Sequence, residues 1–161
     1  MKIKGSENIR EIFSLFHDGG IVNCRMENNT LMMDVEIQYL AERINPSFRK
    51  FSIILTEVGS ISFLTWPNDL QSEPARMTDV KTIFKSDLEI LEGNIKGREI
   101  QVVCNQCSPE FNYCGGELYF TAISAEVMDE AGKNYSISEL EALCSGYWDE
   151  WQNNNVSHSR D

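Results

Sequence analysis

The N-terminal part of the chain shows the hydrophobic spacing of an amphipathic helix. Its apolar residues fall at i, i+3, i+4 and i+7: Ile9, Ile12, Phe13 and Phe16. This spacing places the four side chains on one face of an α-helix. Ser6 precedes the pattern as a candidate N-cap, and Gly19 with Gly20 follows it as a stop signal. We therefore predict a short helix over residues 7–16.

Residues 31–40 alternate between apolar and polar side chains, which is the period of a β-strand. The apolar side carries Leu31, Met33, Val35, Ile37 and Tyr39, and the other side carries Asp34, Glu36 and Gln38. The turn-forming residues Asn28, Asn29 and Thr30 separate this segment from residues 21–27. The two segments are predicted to form an antiparallel hairpin whose acidic face meets solvent.

Further segments of strand character follow, separated by turn-forming residues. They cover residues 51–58, 60–66, 88–95, 99–104 and 117–127. Residues 67–87 carry no clear period, and within them Thr78-Asp79 is a candidate cap for a single helical turn that reaches Ile83. About seven strands at this spacing predict a mainly β fold, either an antiparallel sandwich or a partly closed barrel.

A C-terminal helix has a marked start. Ser138 followed by Glu141 has the spacing of a capping box, in which each residue bonds the backbone N–H of the other. Beyond it, several residues share one helical face: Leu140, Leu143, Cys144, Tyr147 and Trp151. Residues 152–161 are polar except for Val156. We therefore expect a single β-rich domain over residues 1–151 and a polar C-terminal tail over residues 152–161.

Charge narrows the range of partners. The 161 residues include 25 acidic and 14 basic side chains, so the formal net charge is −11. A field of this sign repels phosphate backbones and anionic lipid, so neither nucleic acid nor a membrane is an expected partner. No apolar run approaches the roughly 18 residues of a membrane span. The polar N-terminus lacks the apolar region of a signal peptide, which predicts a soluble, cytoplasmic protein.

Five cysteines are an odd number, and in the cytoplasm we expect them to stay reduced. Three of them form a local cluster: Cys104, Cys107 and Cys114, the last followed by two glycines. Thiolates three residues apart in a turn can share a zinc ion, with Cys114 as a third ligand. A structural site needs a fourth ligand, and the remaining candidates have no matching spacing: Cys24, Cys144, His17 and His158.

Two other interpretations of the three cysteines stay open. Free cysteine is commonly a small buried packing residue, so a hairpin loop with apolar thiols is the interpretation that we favour over zinc. A redox-active pair is the second.

His17 and Asp18 lie where the N-terminal helix is predicted to end. One hypothesis makes His17 a general base that Asp18 orients. The alternative places His17 in the last helical turn, where its ring donates to a free carbonyl, while Asp18 begins the turn. Adjacent residues seldom orient one another, and no serine or cysteine motif accompanies them, so we favour the alternative.

Three aromatic and two acidic residues are consecutive near the C-terminus: Tyr147, Trp148, Asp149, Glu150 and Trp151. At helical spacing, Trp148 points about 100° away from Tyr147. An exposed ring with an acidic rim is typical of a binding hot spot for a basic protein. Alternatively, all three rings cover the end of the sheet. Trp66, at the end of a strand, has the same two interpretations.

Several short catalytic signatures are absent from the sequence. It contains no glycine-rich phosphate loop, no zinc-protease or serine-hydrolase motif and no interleaving of basic and aromatic residues. An enzyme built from dispersed carboxylates remains open, because such a pair needs no local motif.

The order of motifs resembles that of small uncharacterised bacterial proteins. It runs from Phe16-His17-Asp18-Gly19-Gly20-Ile21, through the hairpin at Asn29-Thr30-Leu31 and a Trp-Pro pair, to the acidic aromatic segment 147–151. Some proteins of this kind are predicted immunity proteins of polymorphic toxin systems. The resemblance implies a cytoplasmic β-rich protein that neutralises a toxin by binding it, without catalysis or cofactor. It supplies no set of functional residues.

We therefore expect a non-catalytic acidic binding protein with no cofactor. Its expected partner is a basic protein, which the resemblance identifies as a toxin domain, and the expected contact is residues 147–151. The acidity is concentrated near this contact, because residues 81–161 hold 14 acidic and 6 basic side chains. Two alternatives stay open: an enzyme using dispersed carboxylates, and a small zinc-binding module using Cys104, Cys107 and Cys114. The oligomeric state is not predicted.

Overall fold

A computed structural model describes residues 2–158. Within these residues there are eleven strands: β1 (Ile3–Lys4), β2 (Gly20–Glu27), β3 (Thr30–Glu36), β4 (Lys50–Thr56), β5 (Gly59–Pro67), β6 (Arg76–Met77), β7 (Leu88–Lys96), β8 (Glu99–Gln106), β9 (Tyr113–Thr121), β10 (Ser124–Met128) and β11 (Asn134–Tyr135). The same residues form four helices: α1 (Ser6–Leu15), α2 (Gln38–Ala41), α3 (Val80–Ile83) and α4 (Ile137–His158).

The strands form one antiparallel sheet that does not close. Their order is β1-β10-β4-β3-β2-β7-β8-β9-β5-β6, and β11 pairs with β10 beside β1. The predicted fold class, mainly β with a helix near each end, is confirmed. The strand count exceeds seven because residues 117–127 are two strands and because three strands have only two residues, too few to show a period.

The sheet bends back on itself. Strands β4 and β5 lie six positions apart in the strand order, which would separate them by about 29 Å in a flat sheet. Only Glu57 and Val58 connect them, a link that spans about 11 Å at most. The sheet therefore consists of two facing halves: the first half-sheet, β1-β10-β4-β3-β2, and the second half-sheet, β7-β8-β9-β5-β6.

Two neighbouring corners join the half-sheets. The chain passes from β4 to β5 through Glu57, whose φ is 50°, and returns from β9 to β10 through Ala122 and Ile123. The side-chain hydroxyls of Thr56, at the end of β4, and Ser124, at the start of β10, are hydrogen bonded to each other. The Thr121 hydroxyl, at the end of β9, donates to the Gly59 carbonyl, at the start of β5, at 3.2 Å. Strands that switch sheets at such corners are typical of orthogonal β packing.

Helix α1 lies between the half-sheets. Its four predicted core residues have no exposed surface: Ile9, Ile12, Phe13 and Phe16. Phe13 meets Phe120 of β9 edge on, with 5.7 Å between ring centroids, and Phe16 stacks on Phe51 of β4 at 5.0 Å. The predicted helix is confirmed, but Gly5 rather than Ser6 is its N-cap. The helix is fixed by core packing and has no side-chain cap.

Helix α1 also covers the edge of β7. Strands β2 and β7 share only two residue pairs before they separate. Beyond them, the Ser14 hydroxyl donates to the Gly93 carbonyl at 3.1 Å and accepts from the Gly93 N–H at 3.3 Å. A β-carbon on Gly93 would lie 2.6 Å from the Arg10 carbonyl oxygen. Glycine at this position therefore allows the helix to contact the strand backbone.

The chain between residues 37 and 87 contains two short helices. The alternating pattern of residues 31–40 predicts a strand to Leu40, but β3 ends at Glu36 and α2 follows, which buries Leu40 and Ala41 in the core. The predicted helical turn after Thr78-Asp79 is confirmed as α3. The Asp79 carboxylate accepts from the Thr82 N–H at 3.0 Å.

Helix α4 begins with a capping box two residues earlier than predicted. The Ser136 N–H donates to Glu139, and the Glu139 N–H donates to the Ser136 hydroxyl, both at 3.1 Å. The helix continues past Trp151 to His158, so residues 152–158, placed in the expected tail, are helical, and residues 159–161 of that tail lie outside the described residues. Among residues 2–158, no helix is both long and apolar enough to cross a bilayer.

The two candidate caps can be separated by mutation. We expect Ser136→Ala to lower the free energy of unfolding by about 1 kcal/mol, because it leaves the Glu139 N–H without its acceptor. Ser138→Ala is the matched control and should have little effect, since Ser138 is exposed and belongs to the other Ser-x-x-Glu sequence. Urea unfolding followed by circular dichroism measures both. A larger loss for Ser138→Ala would place the capping box where the sequence alone suggests it.

Candidate functional site

The predicted contact residues lie on α4 within a group of aromatic side chains. We call this group the aromatic cluster: His17, Tyr39, Tyr147, Trp148 and Trp151. Tyr39 and Tyr147 have ring centroids 4.5 Å apart. The Trp148 ring is nearly parallel to that of His17, with 5.9 Å between centroids and 11° between planes. Trp151 meets Trp148 edge on at 5.9 Å. The cluster joins α4 to the end of α1 and to α2.

Exposure divides the rings into two kinds. Tyr147 and Tyr39 are half-buried, and the Tyr39 hydroxyl donates to the His17 carbonyl at 3.2 Å. Burial and the nearby Asp18 carboxylate raise the pKa of Tyr39 to about 12. Trp148 is 37% exposed and Trp151 is 51% exposed. The interpretation of these rings as packing residues thus fits Tyr147, whereas the two tryptophans present apolar surface to solvent.

The two acids within residues 147–151 differ in whether they are paired with a basic side chain. Glu150 forms a bidentate pair with Arg43, with Nη1–Oε2 at 2.6 Å and Nη2–Oε1 at 3.2 Å. Hydrogen bonds and charge from Arg43 lower the pKa of Glu150. Within the described part of the chain, Asp149 has no hydrogen bond or ion pair and is exposed. Asp149 is therefore the acid of this segment that faces solvent without a partner.

Gly146 explains how Arg43 reaches α4. A β-carbon at this helical position would lie 3.0 Å from Nη2 of Arg43. Glycine inside a helix costs about 1 kcal/mol relative to alanine. Here it provides the space in which the guanidinium crosses the helix to Glu150.

Two grooves flank α4. The larger has a volume of about 500 Å³ and is lined by the Arg43–Glu150 pair together with Tyr39, Glu42, Pro46 and Tyr147. The second, the α1–α4 groove, has a volume of about 360 Å³. Its lining residues come from the end of α1 and one face of α4: Ser14, Leu15, His17, Glu141, Cys144, Ser145, Trp148 and Asp149.

His17 and Asp18 form a structural junction. A ring N–H at Nδ1 of His17 donates to the Ser14 carbonyl at 2.9 Å, as the helix-end interpretation predicts. Asp18 has a φ of 72°, and its N–H donates to the Ile90 carbonyl at 2.8 Å. Its carboxylate lies 4.0 Å from Nε2 of His17, too far to orient the ring. The motif turns the chain from α1 into β2.

The three clustered cysteines do not come together. Cys104 is fully buried in β8, and burial raises its thiol pKa to about 12, whereas Cys107 and Cys114 are exposed. All five thiols are free. Residues 2–158 contain no group of three or more His, Cys, Asp or Glu side chains that could hold a metal ion. The geometry gives the zinc hypothesis no support.

The glycines after Cys114 have a packing role. A β-carbon on Gly116 would lie 2.6 Å from the Phe63 ring, and one on Gly115 would lie 3.2 Å from the Trp66 ring. Both residues lie in β9, between β8 and β5. They allow large rings to cover this strand on both of its faces.

Sequence reasoning missed a polar network on the outer face of the second half-sheet. Gln101 is only 4% exposed, and its amide donates to the Glu117 carboxylate at 2.8 Å and to the Tyr119 hydroxyl oxygen at 2.9 Å. The indole of Trp66 also donates to Glu117, at 3.3 Å. Strand register alone brings these residues together, so no local motif signals them.

Carboxylate pKa values bear on the enzyme hypothesis. A general acid at neutral pH needs a raised pKa. At Asp34, burial alone would raise the pKa, but hydrogen bonds from Asn23, Ser52 and Lys50 outweigh it and lower the pKa. The other resolved carboxylate shifts are also downward: Asp69, Asp79, Asp129, Glu139 and Glu150. None of these six carboxylates therefore has the raised pKa that a general acid needs.

Comparison of the chain with protein-family models, curated proteins and solved structures finds no significant match.

Proposed function

We propose that this protein is a non-catalytic binding protein for a basic protein domain, and that it acts in the cytoplasm as an immunity-type inhibitor of a toxin. The observation that carries the proposal is the pair of exposed tryptophans on α4, Trp148 and Trp151, beside the unpaired Asp149. The toxin as partner comes from the resemblance of the motif order. The cytoplasmic location is consistent with five free thiols.

The aromatic residues support a protein partner. Tryptophan is enriched in binding hot spots because it buries a large apolar area and carries a polar N–H. Trp148 is held in place by His17 on one side and by Tyr147 and Trp151 at its edges. A preorganised ring loses little conformational freedom when a partner covers it.

Charge supports a basic partner. The net charge of −11 accelerates encounter with a positively charged domain and weakens contact with acidic ones. A toxin that acts on nucleic acid carries positive charge to hold its substrate. An acidic inhibitor complements this surface and competes with the substrate for it.

The test begins with capture of partners from a lysate of the source organism on the immobilised protein, followed by measurement with the purified partner. We expect a basic protein whose dissociation constant rises at least about tenfold between 50 and 300 mM salt. Trp148→Ala with Trp151→Ala should weaken it by a further factor of about ten or more, as loss of hot-spot residues does. Chelation by EDTA should have no effect.

The matched control is Trp66→Phe, which changes a tryptophan in β5, outside the aromatic cluster. It should leave the affinity of the purified partner unchanged. A dissociation constant that does not change with salt, or that is unchanged in the double tryptophan variant, would contradict the proposed function.

A further inference from the structure

The α1–α4 groove has an uneven chemistry. Its lining residues within the described chain include two carboxylates, Glu141 and Asp149, and no lysine or arginine. Neither carboxylate has a hydrogen bond or ion pair among the described residues. Arg10, the one basic residue of α1, already pairs with Glu7 at 3.0 Å and Glu11 at 3.1 Å. The groove therefore has negative charge that no lysine or arginine among the described residues neutralises.

Cys144 and Trp148 contribute apolar surface to the groove. Cys144 is 8% exposed, and its thiol donates weakly to the Leu15 carbonyl at 3.6 Å. Burial, with a contribution from the Glu11 carboxylate, raises the pKa of Cys144 to about 11. Trp148 forms the wall beside Asp149. A cation entering this groove would contact an indole and a carboxylate at once.

The two carboxylates are separated along α4. Glu141 and Asp149 are eight residues apart, which corresponds to about 12 Å along the helix axis. Trp148 lies seven residues after Glu141, so these two side chains share a helix face. One cationic side chain cannot reach both carboxylates. The groove thus has two anionic ends, and only the Asp149 end has a tryptophan beside it.

We propose that the α1–α4 groove binds two basic side chains of the protein partner, an arginine between Trp148 and Asp149 and a second cation at Glu141. The inference rests on the proposed function and specifies its contact. Arginine fits the first end better than lysine does. Its planar guanidinium stacks on an indole while donating two parallel hydrogen bonds to a carboxylate, whereas an ammonium group has neither capacity.

A short peptide tests the groove without the natural partner. In acetyl-Arg-Gly-Gly-Gly-Arg-amide, an extended backbone places the two arginines about 13 Å apart. The protein is labelled with 5-fluorotryptophan, and its three tryptophan resonances are assigned with Trp66→Phe, Trp148→Phe and Trp151→Phe. During titration at low salt, we expect the fluorine resonance of Trp148 to shift most and that of Trp66 to stay in place.

Charge-matched variants separate the groove from the general field. Asp149→Asn and Glu141→Gln should each raise the peptide dissociation constant by about three- to fivefold, the effect of one lost surface ion pair. Glu73→Gln and Glu110→Gln remove exposed carboxylates outside the groove. They should change the peptide dissociation constant far less. The lysine peptide of the same length and charge should bind about threefold or more weakly. Its ammonium group cannot stack on the Trp148 indole while it donates two parallel hydrogen bonds to the Asp149 carboxylate.

Equal effects from the groove and control variants, or a larger shift at Trp66 than at Trp148, would overturn the groove proposal and leave a basic partner possible through net charge alone. Absence of peptide binding at low salt, with the purified basic partner still bound, would also overturn it. Selective peptide binding without any basic partner in the cell would instead retain the groove and reject the proposed function.

Discussion

Replacement of Phe13 by alanine is expected to lower the free energy of unfolding by about 3–5 kcal/mol, the usual cost of deleting a buried phenyl ring. Phe13 has no exposed surface and meets Phe120 of the second half-sheet edge on. The same helix reaches the first half-sheet through Phe16 and Phe51. Because both half-sheets hold α1, the surrounding atoms cannot close the cavity without moving the helix away from one of them.

Chemical unfolding in urea measures this loss, with the midpoint and slope compared between variants. Leu70→Ala is the control, because Leu70 is fully exposed and its truncation should change stability by no more than about 0.5 kcal/mol. A total stability of about 5–15 kcal/mol is usual for one domain, so the Phe13 variant should lose a large share of it. A loss below about 1 kcal/mol would be incompatible with a helix enclosed by the sheet.

The second large effect is expected at Asp129. This carboxylate is 6% exposed and accepts three hydrogen bonds, from the Ala131 N–H at 2.8 Å, the Lys133 N–H at 3.1 Å and the Tyr135 hydroxyl at 2.7 Å. We expect Asp129→Asn to lower the free energy of unfolding by about 2–3 kcal/mol, because buried donors lose a charged acceptor.

The loss should depend on pH in a defined direction. Burial would raise the pKa of Asp129, but the bonds from Tyr135, Lys133 and Ala131 outweigh it and lower the pKa. A group with a depressed pKa in the folded state stabilises the fold above its unfolded pKa, near 4 for aspartate, and loses this contribution as pH falls through the folded value. The difference between wild type and Asp129→Asn should therefore be constant from pH 6 to 8 and shrink below about pH 4.

Asp69 provides a matched control for burial. It also accepts three hydrogen bonds within a turn, from the Gln71 N–H, the Ser72 N–H and the Ser72 hydroxyl, but it is exposed. Asp69→Asn should cost clearly less than Asp129→Asn at neutral pH, since water replaces the lost acceptor. Equal losses at the two positions would show that burial does not strengthen the Asp129 network.

The sequence predicts those parts of the fold whose signals are local. The face of α1 and the alternation in β3 are visible because their periods repeat within a few residues. The start of α4 is ambiguous, because Ser136 with Glu139 and Ser138 with Glu141 have the same spacing. Tertiary structure decides between them: the bond from Tyr135 to Asp129 fixes the chain just before Ser136.

The candidate site was predicted in part for the same reason. The helical spacing of residues 147–151 predicts an exposed ring at Trp148, and Trp148 is exposed. Trp151, predicted to share a helix face with Leu140, is exposed as well, whereas Leu140 is buried. Nothing local shows that Glu150 pairs with Arg43, which lies more than a hundred residues earlier in the chain. The network around Gln101 likewise depends on the register of β8 and β9. Long-range pairing decides which acids remain available to a partner.

The position of β10 affects how the chain can fold during synthesis. Strand β10 lies between β1 and β4, and Ile3 pairs with Ala125. The first half-sheet is therefore incomplete until residues 124–128 have left the ribosome, although β1 to β4 emerge first. Contacts so distant in sequence slow folding, because a long loop must close before they form. During that interval the edge of β4 lacks its partner, so the growing chain passes through a stage in which chaperones can bind it.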